Sequence, residues 1–148
     1  MITLETIQQK QAELAALIQQ LTSHTTHLIF PKFEVELRHG ERYAGTVLSE
    51  DGQIQHHLVL MARRPATKLT WAAAMEWAES VDGSLPTRQE QALLYANCKP
   101  HLDPCWHWSC ESHKEDASCA WYCYFGYGYQ SYGHKSYEGS AVAVRRFI

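Results

Sequence analysis

Seven of the eight Cys and His side chains between residues 98 and 123 are candidate metal ligands or nucleophiles: Cys98, Cys105, His107, Cys110, His113, Cys119 and Cys123. Structural zinc favours paired Cys and His ligands about two to four residues apart. Cys105-x-His107, Cys110-x-x-His113 and Cys119-x-x-x-Cys123 approach that spacing, so a small zinc-binding domain is one reading. Against it, the ligands alternate with tryptophans whose bulk commits them to packing, and the expectation is no metal and no cofactor. A cysteine nucleophile needs a base and an orienting group. Cys110 with His113 could be written that way, but no local motif raises it above the other Cys–His combinations. Gly126-x-Gly128 opens no helix and so is no phosphate loop, and Glu111, Glu115 and Asp116 have Lys114 among them, as a solvated loop does. The chain is expected to be no enzyme. Its five cysteines are an odd number, so a disulfide framework cannot close within one chain and free thiols are expected.

What residues 105–138 do concentrate is six of the eight tyrosines and three of the five tryptophans, with almost no aliphatic residue. Cores are built from Leu, Ile and Val. Rings that carry a hydroxyl or N–H, spaced by Gly and Ser, compose a recognition surface: large contact area at low entropy cost, with adaptable hydrogen bonding around it. The candidate ligand-binding residues are Trp106, Trp108, Cys110, Ser112, His113, Tyr122, Tyr124, Tyr127, Tyr129, Ser131, Tyr132, His134 and Tyr137. The competing reading is a Tyr-rich hairpin that packs on its own sheet, since strands favour aromatics.

The elements that must position these residues follow from periodicity. Residues 1–24 read as an N-terminal helix, and residues 25–148 as one α+β domain. The helix has no Gly or Pro over 4–22, and Leu4, Ile7, Leu14, Ile18 and Leu21 form a heptad seam interrupted only by Gln11. That seam predicts a homo-oligomer, dimer or trimer, with Gln11 as a register device; an amphipathic helix folded back on its own domain is the alternative. Residues 33–37 alternate Phe-Glu-Val-Glu-Leu and predict a half-buried strand. Strands over 43–48 and 54–61 flank an Asp51-Gly52 turn. His56 and His57, adjacent in a strand, should point to opposite faces. Thr70 caps a helix over 71–81, with Gly83 as its left-handed stop. Thr87 and Glu90 make a capping box for a helix running to about residue 97, and Pro100 ends it. Trp106 and Trp108 share a strand face, as do Trp121 and Cys123, with Tyr122 and Tyr124 opposite. Residues 126–129 are too glycine-rich for a central strand and predict a loop or irregular hairpin, and residues 141–147 predict a closing strand.

Taken in order, Thr70-Trp71, Ala74 and Trp77-Ala78, then Gly83, Leu85-Pro86-Thr87-Arg88 and Glu90, then Trp106-x-Trp108-Ser109, Ala120-Trp121 and Phe125, and Val142-x-Val144-Arg145-Arg146 form a pattern over residues 42–148 that resembles the Lcl C-terminal domain family of phage and bacterial proteins. That family is similar to the C-type-lectin-like fold, including its formylglycine-generating-enzyme-like branch and the variable proteins of diversity-generating retroelements. The resemblance implies two helices on a twisted antiparallel sheet, with ligand-binding residues on the C-terminal strands and loops. It also implies a phage or prophage protein engaged in receptor binding or host interaction. Tyr, Ser, Cys and His, dense in the candidate surface, are outcomes of randomising the adenines of AAC or AAT codons, as variable proteins do. Ser109-Cys110 departs from the Ser-Ser pair often found after the tryptophan, and no Glu-Pro-Asn or Trp-Asn-Asp triplet of calcium-dependent lectins is present, so calcium-mediated sugar binding is not implied.

The bulk numbers exclude classes. A net charge of −3 gives no basic excess for nucleic acid. No apolar run approaches the roughly 20 residues of a membrane span, and the polar first residues are no signal peptide. The expected partner is a protein or glycan ligand, and the expected place of synthesis is the host cytoplasm, with a virion as the natural place of action. A virion structural or assembly protein, its aromatic face buried against another subunit, is the second reading.

Overall fold

A computed structural model of the chain describes residues 1–23, 25 and 27–148. Two compact units emerge, Met1–Glu34 and Val35–Ile148. The first unit is built on helix α1, Leu4–Ser23. Thr3 starts it, its hydroxyl accepting the Thr6 N–H at 3.3 Å. At the other end the Thr22 and Ser23 hydroxyls donate to the carbonyls of Ile18 and Gln20, occupying acceptors that a helix end leaves free. No residue of α1 is buried. Among the described residues no helix is long and apolar enough to cross a membrane.

Residues 33–37 form no strand. The alternation supplies a face, but a strand persists only where a ladder takes up its backbone groups, and none reaches this segment. The Glu36 carbonyl accepts instead from the Arg145 guanidinium at 3.2 Å.

The second unit is α+β, with two antiparallel three-stranded sheets. Strands β1 (Arg42–Leu48) and β2 (Ile54–Leu60) form a hairpin, and β6 (Val144–Phe147) pairs with β2. The turn is the expected one: Gly52 has φ 82°, its N–H donates to Ser49 O at 3.0 Å, and the Ser49 hydroxyl donates to the Asp51 carboxylate. The other sheet holds β3 (Trp106–Ser112), β4 (Cys119–Tyr124) and β5 (Tyr129–His134) in the order β3-β4-β5. Between the two hairpins in sequence lie α2 (Trp71–Ser80), α3 (Arg88–Cys98) and a short 3-10 turn at Lys99–His101.

Local chemistry explains the helix ends. The Thr70 hydroxyl accepts the Ala73 N–H, and Thr87 and Glu90 form a reciprocal capping box. The stop of α2 differs from expectation: Asp82, not Gly83, takes the left-handed conformation, at φ 60°. The Asp82 and Gly83 N–H groups return to the carbonyls of Glu79 and Ala78, so the Schellman pattern is complete one residue earlier. Gly83 sits instead in close quarters, where a Cβ would stand 2.5 Å from Met61 Sδ, 3.1 Å from Ala143 Cβ and 3.2 Å from Val144 O.

Two buried clusters hold the unit together. One joins Ala44, Val47, Leu58 and Leu60 of the first sheet to Leu94 and Cys98 of α3, to Cys123 of the second sheet and to Phe125 in the turn after β4. The other gathers Ala74, Ala78 and Leu85 around Trp108 and Ala120. Each fully buried leucine contributes about 1.5–3 kcal/mol. The expected closing strand is shorter than residues 141–147. Ala141, Val142 and Ala143 are buried but irregular, because this segment crosses between sheets: Ser140 bridges to His107 of β3, and Val144 pairs with Leu60 of β2.

A buried ionic network fixes the start of α3. Glu90, fully buried, accepts from the Thr87 N–H at 2.8 Å, from Arg146 at 2.7 and 2.8 Å, and contacts His56 Nε2 at 2.8 Å. Burial alone would raise its pKa, but Arg146, the Thr87 N–H and His56 together hold it below the usual carboxylate value. His57, on the opposite face of β2, meets Tyr43 and Thr46 instead.

Candidate binding surface

The β4–β5 hairpin carries most of the candidate residues. Phe125, buried below the turn, donates its N–H to Cys105 O at 3.0 Å and pins the turn to the start of β3. The two glycines that follow are dictated by rings. A Cβ on residue 126 would fall 2.4 Å from Tyr124 Cε1, and one on residue 128 would fall 2.5 Å from Tyr95 Cε1. Gly128 also has φ 80°, where side chains are disfavoured. With the backbone drawn this close, Tyr127 and Tyr129 both lie nearly parallel to Tyr124, at centroid separations of 5.6 and 5.4 Å. Tyr124 is half-buried beneath them. Tyr127 is 78% and Tyr129 52% exposed.

Alternation along β5 puts Tyr129, Ser131 and Gly133 on one face and Gln130, Tyr132 and His134 on the other. The second face carries a different cluster. Trp121 of β4 lies opposite Tyr132 in the ladder, and the two rings meet edge-on at 5.3 Å. His113 stacks on Trp121 at 5.2 Å and touches Tyr132 at 4.3 Å. His113 Nδ1 accepts the N–H groups of Glu115 and Asp116 at 3.2 Å each, so the neutral ring keeps its proton on Nε2. The Arg88 guanidinium sits 3.6 Å from the centre of the Trp121 ring. Its Nε donates to Gln130 Oε1 at 3.0 Å, and Gln130 Nε2 returns a bond to Arg88 O at 2.6 Å. The Arg88 N–H is taken by Glu111 at 2.6 Å.

The thirteen candidates therefore divide. Tyr127, Tyr129, Tyr132 and Tyr137 are exposed, with Ser112 and His134 also exposed and His113, Tyr124 and Ser131 half-buried beside them. Trp108 is a correction: it is fully buried, its Nε1 donating to Leu69 O at 3.0 Å, and it centres the second core cluster. Alternation put it on one face with Trp106, and that face turns out to be the one covered by α2. Trp106, Tyr122 and Cys110 are half-buried against that cluster; Trp106 meets Trp108 edge-on at 5.0 Å and lies over Gly139, where a Cβ would come within 2.2 Å of its ring. These three form the floor of the surface rather than its outer layer. Arg88, Trp121 and Gln130 belong to the surface and were absent from the sequence set.

The metal-ligand set is dispersed. Among the described residues no three His, Cys, Asp or Glu side chains gather as a metal site requires. Cys98 and Cys123 are in the first core cluster, Cys110 packs on the second, Cys105 contacts Ser140 Oγ at 3.2 Å, and Cys119 contacts Asp116 at 3.4 Å. Burial pushes the Cys123 thiol up to about 11 and raises Cys98 and Cys110 as well. Burial also takes His107 down to about 4, while its Nδ1 meets Cys105 O at 3.0 Å.

The hairpin thus offers a near-parallel tyrosine stack on one face and a cation-bearing Trp–His–Tyr cluster on the other, meeting along β5. Neither known protein-family models nor curated protein sequences match this chain.

Proposed function

We propose that this chain is a non-catalytic ligand-binding protein that presents the β4–β5 hairpin to a protein or glycan target. On this reading the second unit is a C-type-lectin-like scaffold similar to the Lcl C-terminal domain and to retroelement variable proteins. The chain is encoded by a phage or prophage, made in the host cytoplasm and used in receptor binding or host interaction. The observation that carries the reading is the exposure of Tyr127, Tyr129 and Tyr132, between 50% and 78%, on a hairpin anchored by fully buried Ala120, Cys123 and Phe125, with Tyr137 exposed just beyond β5. Clustered exposed rings above a rigid base are how binding surfaces concentrate energy.

Helix α1 extends the reading. Leu4, Ile7, Leu14, Ile18 and Leu21 are all exposed, and with Gln11 they form the seam of a dimeric or trimeric coiled coil. Several copies of a weak site would then act together. A virion structural subunit, with the same tyrosines covered by a neighbour, accounts for the same exposure.

The test probes protein and glycan arrays with the full chain and with a Tyr127→Ala/Tyr129→Ala/Tyr132→Ala variant. The expected result is binding lost in a variant that melts within a few degrees of the parent. Binding retained by the variant, no binding by the parent, or a collapse of the variant's melting temperature would overturn the reading. Parent chain that aggregates unless a second virion protein is added would favour the structural subunit.

A further inference from the structure

We infer that the free edge of β5 receives an extended peptide strand of the target, and that one acidic side chain of that strand pairs with Arg88. The inference rests on the reading of this hairpin as a binding surface and names its ligand class. Three observations carry it. First, β5 pairs with β4 in unbroken register from Tyr129 to His134, while beyond that ladder the backbone of residues 129–133 makes no hydrogen bond among the described residues. Second, β5 lacks the usual devices that blunt an edge: the sequence Tyr-Gln-Ser-Tyr-Gly-His contains no Lys, Arg, Asp, Glu or Pro, and no bulge interrupts it. An unpaired straight edge is a template for strand addition, in which main-chain bonds give affinity and side-chain contacts on alternate faces give specificity. Third, Arg88 is held in place by Gln130 of β5 and by the Trp121 ring, yet it makes no ion pair among the described residues.

Charge decides between possible occupants. A second copy of β5 would bring no carboxylate to Arg88. The chain's own acidic residues around the site do not pair with it: Glu90 is taken by Arg146, Glu111 accepts the Arg88 main-chain N–H, and Asp116 accepts from Ser118 and Cys119; Glu115 and Glu138, the latter past the end of β5, make no ion pair among the described residues. An added strand from another protein, with Asp or Glu on the face shared by Gln130, Tyr132 and His134, supplies what the site lacks. Its opposite face would lie along Tyr129 and Ser131.

The probe is a displayed library of random decapeptides selected against the immobilised full chain. Enriched sequences should share an acidic residue at one position of an alternating pattern. For the best peptide, made synthetically, acid→amide replacement and Arg88→Gln should each weaken binding about tenfold or more, and the two losses should not add. Arg88→Gln keeps the main-chain bond to Glu111; should it nonetheless unfold, Arg88→Lys, which keeps the charge but not the fork, should give an intermediate loss. Amides of residues 129–134 should slow in hydrogen exchange when peptide binds. No enrichment, enrichment without an acid, binding indifferent to Arg88, or unprotected β5 amides would overturn the inference. Concentration-dependent protection of those amides without peptide would replace the peptide with a second copy. If the triple-tyrosine variant loses array binding while the peptide arm fails, the binding-surface reading stands and this inference falls.

Discussion

Replacing Glu90 with glutamine tests whether the scaffold beneath the surface is as rigid as the structure implies. The Glu90 carboxylate takes part in four side-chain contacts: one from the Thr87 N–H, two from Arg146 and one with His56. Glutamine keeps the volume but offers a single acceptor oxygen and sets an NH2 group against Arg146 or His56. Breaking a buried ion pair from one side costs about 3–5 kcal/mol. Arg146 keeps 32% of its side chain exposed and can turn to water, which places the expected loss near the lower bound, about 3 kcal/mol. At about 4 °C per kcal/mol for a unit near this size, melting followed by circular dichroism should fall by roughly 10 °C at pH 7. The pH dependence has a definite sign. The folded-state pKa of Glu90 is lowered, so its contribution is complete above the unfolded-state value and is lost as pH falls through the folded one. The gap between parent and variant should therefore narrow in acid. A loss below about 1 kcal/mol at pH 7, or a gap independent of pH, would refute the argument that this network fixes the first turn of α3 and, with it, Arg88.

Three further outcomes follow from the same geometry. Trp108→Ala should cost about 3–5 kcal/mol as a buried large-to-small change, whereas Tyr127→Ala should cost under about 1 kcal/mol; at 78% exposure Tyr127 hides only about a fifth of a ring worth roughly 200 Å². Urea titration measures both, and equal losses would contradict the division between core and surface. Gly128→Ala should lower the melting temperature by several degrees, since φ 80° and the Tyr95 ring at 2.5 Å both exclude a Cβ; an unchanged melt would mean the turn is not held as described. Deleting residues 1–24 should reduce the sedimenting mass from an oligomer to a monomer, and a monomer before and after the deletion would remove α1 from the account of valency.

Much of this architecture was legible in the chain, and the failures have physical causes. Caps are local: Thr70, Thr87 and Glu90 could be read because each bond spans three residues. The Asp51-Gly52 turn was legible for the same reason. Residues 33–37 misled because alternation reports a face and not a partner, and no ladder reaches them. The left-handed position that Gly83 advertised falls at Asp82, and Gly83 is packed instead against Met61, Ala143 and Val144. In the surface, ring density located the hairpin, but density cannot say which face a helix will cover, and Trp108 went inside. In sequence Arg88 belongs to a helix start and to the Leu85-Pro86-Thr87-Arg88 motif, and neither points to the surface. What makes it part of the site is Gln130, 42 residues away, and no local pattern encodes that meeting.

The most direct test of the surface itself is tyrosine nitration of the full chain, mapped by peptide mass with and without its bound target. In the free chain Tyr127, Tyr129, Tyr132 and Tyr137 should react readily, and in the complex protection should concentrate on the first three. Protection centred elsewhere, with these three reacting as before, would contradict the claim that the β4–β5 hairpin is where this protein meets its ligand.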